Sequence, residues 1–166
     1  AADAYVLLTA VNSVQLRGTG LPRSNDTFEQ GLPPVYPGRL EISAGAGGVV
    51  LGRDVILYPS PAGNLRVTTT EGGSLRASQP GELVQWIVSD SGRQQYRSYG
   101  DFGMSDHAAV PVHLGDVEPV RLDIAGDMTG VALGVPKRAE IRVGGNMVNS
   151  RFEGQNLAAE IGRAHV

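Results

Sequence analysis

The chain has no cysteine, one lysine and few aromatic residues, and each shortage removes a class of function. Without cysteine there are no disulfides, no thiolate catalysis and no cysteine-ligated zinc. Its absence does not fix the compartment. Aromatic residues make up 5% of the 166 positions, which disfavours an ordinary helical enzyme domain. A formal net charge of −3 supplies no basic footprint for nucleic acid or an anionic membrane. No apolar run reaches the roughly 18 residues that a bilayer crossing needs, and no charged-then-apolar leader opens the chain, so the expectation is a soluble protein. No segment carries a convincing helical period either.

What is present is glycine and aliphatic residues. Glycine occupies 23 positions, about twice its usual share, without the Gly-X-Y period of collagen. Hydrophobic residues at 41% are enough to bury a core. A turn-rich, all-β protein fits that balance. Arg supplies every basic residue except Lys137, and together with abundant Ala, Gly, Val and Pro it points to GC-rich codons and a bacterial gene.

Four segments share one pattern. Leu40-Glu41-Ile42, Leu65-Arg66-Val67, Leu122-Asp123-Ile124 and Ile141-Arg142-Val143 each set one charge between two aliphatics, the period-2 signature of a strand with one buried face. A step of 25 residues lays Leu40 on Leu65, Ile42 on Val67 and Gly47-Gly48 on Gly72-Gly73. A step of 19 lays Leu122 on Ile141, Gly126-Asp127 on Gly145-Asn146 and Met128 on Met147. The longer step absorbs a loop, Tyr58 to Gly63. A repeat of about 20 residues cannot bury its apolar face alone, so it stacks on copies of itself, which predicts a parallel β-solenoid. Glycine at the corners then supplies positive φ, with Asp127 and Asn146 as residues that tolerate such corners. The same steps bring Glu41 to Arg66, Arg121 to Glu140 and Asp123 to Arg142, all of opposite sign. The prediction is that the eight aliphatics face one core and the four central charges face outward.

Two stretches interrupt the rhythm and are read as loop insertions, residues 21–38 with four of the ten prolines, and residues 78–119, whose only convincing strand is Leu83 to Val88. Pro136 to Ala139 reads as a turn into the next strand. The chain opens at Ala1 inside an apolar run, as if cut from a longer protein. Residues 161–166 read as one frame of a sequencing-library adapter, so residues 1–159 are taken as a single fragment and 160–166 as a non-native tail.

The candidate chemistry is thin. Ser105-Asp106-His107 has triad residue types, but adjacent side chains point apart, whereas triads converge from distant positions. Asp106, His107, His113 and Asp116 have metal-ligating types at no recognised spacing. Asp54, Asp123 and Asp127 would matter to a polysaccharide-cleaving site, yet each is explained by a strand face or a turn. Ala44 to Gly52 lacks the endings of phosphate- and calcium-binding loops. Asn25-Asp26-Thr27 matches the N-glycosylation pattern by chance. No catalytic, cofactor or metal residue is assigned. Trp86, Tyr96 and Tyr99 form the candidate contact surface for a protein or glycan, against the commoner use of such residues to anchor an insertion.

Residues 119–157, PVRLDIAGDMTGVALGVPKRAEIRVGGNMVNSRFEGQNL, with GRLEISAGAGGVVLGRDVILYP at 38–59, resemble the filamentous haemagglutinin family of large bacterial exoproteins. The resemblance spans most of residues 38–159. It implies a right-handed parallel β-helix, secretion through a dedicated outer-membrane partner, and a fibrous cell-surface adhesin that meets a host or neighbouring-cell protein or glycan. It transfers no catalytic residues. Neither an amino-terminal secretion domain nor an Arg-Gly-Asp triplet occurs among these residues. The alternatives are a β-helical polysaccharide-active lyase or hydrolase, and the shaft of a contact-dependent toxin-delivery exoprotein. A carboxylate cluster along one face would favour the enzyme, and only the full-length gene separates adhesin from toxin carrier.

Overall fold

A computed structural model describes residues 4–18, 35–93, 102–103 and 106–155, and they are all-β without a helix. The chain runs through three faces repeatedly. Strands β1 (Tyr5–Ala10) and β2 (Ser13–Leu16) begin it, and Tyr36 then makes a single parallel bridge to Leu57. Next come β3 (Arg39–Ala44), β4 (Gly48–Leu51) and β5 (Val55–Leu57), followed by β6 (Asn64–Thr69), β7 (Leu75–Ala77) and β8 (Val84–Val88). After an excursion, β9 (Val120–Ile124), β10 (Met128–Thr129) and β11 (Val131–Val135) lead to β12 (Ala139–Val143), β13 (Met147–Val148) and β14 (Arg151–Gly154). One sheet has the order β1-β3-β6-β9-β12, the second β2-β4-β7-β10-β13 and the third β5-β8-β11-β14. Every strand pair is parallel.

The registers are those the repeat predicts along the first sheet and at β10 and β13, but Gly47-Gly48 does not fall on Gly72-Gly73, because Val49 pairs with Leu75, one residue beyond that step. Leu40 lies opposite Leu65, Glu41 opposite Arg66 and Ile42 opposite Val67. Arg121 lies opposite Glu140, Asp123 opposite Arg142 and Met128 opposite Met147. Strand alternation then sends Leu40, Ile42, Leu65, Val67, Leu122 and Ile124 into one core that also takes Leu51, Leu57, Leu75 and Leu133. Ile141 and Val143 pack against it but are only partly buried, because no described strand lies beyond β12. Met147, Val148 and Phe152 on the same last pass are exposed.

Two expectations change. The second insertion does not begin at residue 78: Leu75–Ala77 and Val84–Val88 sit in the second and third sheets, so the chain leaves only after Val88. The pairing of β7 with β4 and of β8 with β5 requires those residues in the stack. The glycine corners also have two physical reasons where one was expected. Gly48 and Gly72 do adopt positive φ, at 67° and 77°. At Gly73 and Gly126 the constraint is close approach, since a Cβ would strike the backbone oxygens of Gly45 and Gly72 on the preceding pass. Most of the 21–38 insertion and the whole 160–166 tail lie outside the described residues.

Candidate functional site

The excursion from Ser89 to Pro119 returns to the stack through a compact set of polar side chains. Asp90, buried two residues past β8, holds it with two of its oxygens: its carbonyl takes the Ala108 N–H at 2.8 Å and its Oδ1 takes the Val112 N–H at 2.7 Å. His107 Nδ1 stands 3.5 Å from Asp90 Oδ2. Immediately after Val112, a turn closes with the Asp116 N–H on the His113 carbonyl at 3.0 Å. That turn presents His113 and Asp116 to the corner where β11 gives way to β12.

Lys137, in that corner, is the chain's only lysine and its side chain is 2% exposed. Its Nζ donates to Asp116 Oδ2 at 2.8 Å and to the Gly63 carbonyl, on the β5–β6 turn, also at 2.8 Å. His113 Nδ1 approaches the same Asp116 oxygen at 3.3 Å, with its side chain 0% exposed. The other carboxylate oxygen, Oδ1, accepts the Glu118 N–H at 2.9 Å. Among the described residues His113 Nε2 is buried without a partner.

The charges follow from this packing. Burial, followed by the Lys137 cation, holds the His113 imidazole below its ordinary pKa against the opposing pull of Asp116 and Asp90, favouring the neutral ring. Burial raises the pKa of the Asp116 carboxyl, but the hydrogen bonds from Lys137 and the Glu118 N–H together with the Lys137 charge outweigh it, and the net shift is downward. An amine, a carboxyl group and a neutral imidazole thus share one oxygen in a nearly dry corner. Such a set can hold an ion pair, relay a proton or join the amine to the carboxyl.

The residues singled out by sequence are dispersed. Asp106 turns to Ser91 Oγ at 2.7 Å and Arg93 at 3.1 Å, and the Ser91 bond leads the causes that lower its pKa. His107 faces Asp90, and Ser105 lies outside the described residues. No group of three metal-ligating side chains forms among the described residues. Asp54 accepts the Gln85 N–H at 2.8 Å, Asp123 faces Arg142 at 3.8 Å and Asp127 accepts the Asn146 N–H at 2.7 Å, so the three carboxylates are not brought together.

The contact-surface expectation fails at Trp86, which is 0% exposed inside the core, because β8 turns it inward opposite Leu133 and Val55. Tyr96 and Tyr99 lie outside the described residues. The anchoring role falls instead to Phe102, buried against Ile56 and Ile87 on the outer side of the third sheet and edge-on to Tyr58 at 5.4 Å between ring centroids. Nothing in its sequence surroundings marks Phe102. Lys137 does carry a signal, as a solitary lysine among arginines.

A shallow cavity of about 270 Å³ lies over the second sheet, bordered by Arg76, Gln79, Glu82, Asp127 and Thr129. Glu82 Oε2 is buried there without a hydrogen-bond partner among the described residues. No protein-family model matches the chain, and no curated protein or solved structure is significantly similar to it.

Proposed function

We propose that the chain is a segment of a right-handed parallel β-helix that serves as the shaft of a secreted, cell-surface bacterial adhesin of the filamentous haemagglutinin type. The observation that carries this reading is the in-register stack: successive passes cross the same three parallel sheets in the same order. Each pass rests on the one before, so such a stack lengthens by simple repetition, as a fibre must. Right-handedness follows from the strong preference of parallel crossovers. The outer face of the first sheet supports the reading as well, with Arg121–Glu140 at 3.2 Å and Arg39–Glu118 at 3.1 Å joining neighbouring strands and returning loop through polar contacts. The contact function is assigned to the excursions, and the partner is a protein or glycan on a host or neighbouring cell. Export runs through an outer-membrane secretion partner.

Antibodies against the purified chain test the proposal on intact cells that carry the gene. Surface labelling that disappears when the outer-membrane partner is disrupted is the expected result. Antigen confined to the cell interior with that partner intact would overturn it.

A second reading rests on the cavity over the second sheet, whose lining includes Glu82, Asp127 and Arg76. Two carboxylates beside a cation are what a polysaccharide-cleaving β-helix needs. Release of reducing or unsaturated ends from acidic polysaccharides, lost in Asp127→Asn, would move the assignment to an enzyme.

A further inference from the structure

We propose that Lys137 and Asp116 condense into an intramolecular isopeptide bond that staples one pass of the stack. The chain's single primary side-chain amine is placed against a carboxyl group in a corner where its side chain is 2% exposed, with the Gly63 carbonyl fixing the direction of Nζ. Arginine could fill this site as a cation, but a guanidinium stays protonated and does not attack a carboxyl carbon. Lysine is the residue whose chemistry the position can use.

The surroundings supply what the condensation requires. A proton passes from the Lys137 ammonium to Asp116 Oδ2, 2.8 Å away, leaving an amine beside a carboxylic acid. The nitrogen lone pair attacks Cγ, and the negative charge that develops on Oδ1 meets the Glu118 N–H already bound there at 2.9 Å. His113 Nδ1, 3.3 Å from Oδ2, takes a proton from the nitrogen as the C–N bond forms and passes it to that oxygen as it leaves as water. One C–N bond forms, one C–O bond breaks and one water departs, with no oxidant, cofactor or activated intermediate. Holding the partners in contact is equivalent to an effective concentration of about 10⁵–10⁸ M, which drives a reaction that does not proceed between free amine and acid in water. The lowered pKa of Asp116 makes the ion pair the resting state, so the bond accumulates slowly after folding.

The consequence is topological. Asp116 precedes β9 and Lys137 precedes β12, so the bond closes β9, β10 and β11 into a covalent ring. A cysteine-free chain has no other cross-link between side chains of its stacked passes, and closing a loop restricts the unfolded ensemble as a disulfide does.

Intact mass decides the matter. The folded full chain is incubated until its mass is constant, then denatured and weighed. The expected mass is lower than the sequence requires by one water, and Lys137→Arg, which keeps the charge, stays at its full mass. Asp116→Asn should lose ammonia in place of water. His113→Gln should reach its final mass about 10²-fold more slowly; an unchanged rate would remove His113 from the reaction. A wild-type chain at full sequence mass overturns the proposal, whatever the variants do. So does a loss of water that persists in Lys137→Arg, the mark of a succinimide at Asp116. Neither readout depends on adhesion or secretion, so the isopeptide bond and the adhesin reading fail separately.

Discussion

Arg66 lies directly opposite Arg121 across the parallel pair β6 and β9, in the middle of a row that reads Glu41, Arg66, Arg121, Glu140. Like charges side by side on a sheet repel, and the row is tolerated because a carboxylate from the returning excursion leans over it. Glu118 meets Arg39 with both oxygens at 3.1 Å and Arg66 at 3.8 Å. Glu41 turns to Arg39 at 3.2 Å, leaving Glu118 as the closer anion to Arg66. Glu118→Gln should therefore destabilise the fold by about 0.5–1 kcal/mol at low salt, a modest figure because all these groups are partly exposed. The loss should shrink as salt screens the two guanidinium groups. Urea titrations at low and high ionic strength check this, and a loss that does not change with salt would assign Glu118 a packing role instead.

Trp86 separates stability from recognition. Its side chain is fully buried, so Trp86→Ala should cost about 3–5 kcal/mol. Its Nε1 has no hydrogen-bond partner among the described residues, so Trp86→Phe removes an orphaned donor and should cost much less. Denaturant midpoints rank the two. For any partner that binds the folded chain, Trp86→Phe should leave affinity unchanged, and a selective loss of binding without loss of stability would restore Trp86 to the contact surface.

The buried imidazole sets an acid limit. His113 has a folded-state pKa below the ordinary value near 6.5, so above that value it is neutral in both states and contributes nothing to pH dependence. As pH falls below about 6.5 the unfolded chain binds a proton that the folded chain refuses, and stability declines until the folded pKa is passed. The slope from this group is at most about 1.4 kcal/mol per pH unit. Desolvation is the largest single cause of the shift, ahead of the Lys137 charge. His113→Gln should flatten the decline between about pH 6.5 and 5, measured as melting temperature against pH. A wild-type profile as flat as the variant's would mean that His113 charges freely in place.

The strands and their registers were legible because they rest on two short-range rules, alternation along a strand and a fixed step between copies. Leu40 against Leu65 and Arg121 against Glu140 needed nothing else. The step also held through Ala44 opposite Thr69 and then lengthened by one residue, with Val49 opposite Leu75, because Ser74 is inserted after the corner. The excursion obeys no such rule. The positions of Asp90, His113, Asp116 and Lys137 depend on where a loop lands, and no pattern of neighbours encodes that. Residue type did leave a trace, since a lone lysine among arginines marks a position where the two are not equivalent. Trp86 misled because an aromatic residue in a half-buried strand can face either way, and only the pairing of β8 with β5 and β11 decides which.

The glycine ladder yields the last prediction. Gly126 and Gly72 occupy the same corner on successive passes and are constrained for opposite reasons. Gly72 has open space where a Cβ would go but a φ of 77°, so Gly72→Ala forces an alanine into the left-handed region at a cost of about 1–2 kcal/mol. Gly126 has no positive φ, and on backbone grounds alone alanine there would stabilise by restricting the unfolded chain. Its Cβ, however, would point into the Gly72 carbonyl oxygen, with Ser74 Oγ close by. The carbonyl belongs to the neighbouring pass and cannot rotate away as a side chain could, and the Gly126 N–H is tied to the Gly73 carbonyl at 2.8 Å. Gly126→Ala must therefore push two passes apart, at a cost of about 3 kcal/mol or more, the upper part of the range for overpacking. Thermal unfolding of the two variants side by side should place Gly126→Ala well below Gly72→Ala. The reverse order would mean that turn conformation, rather than the spacing between passes, is what the corner glycines protect.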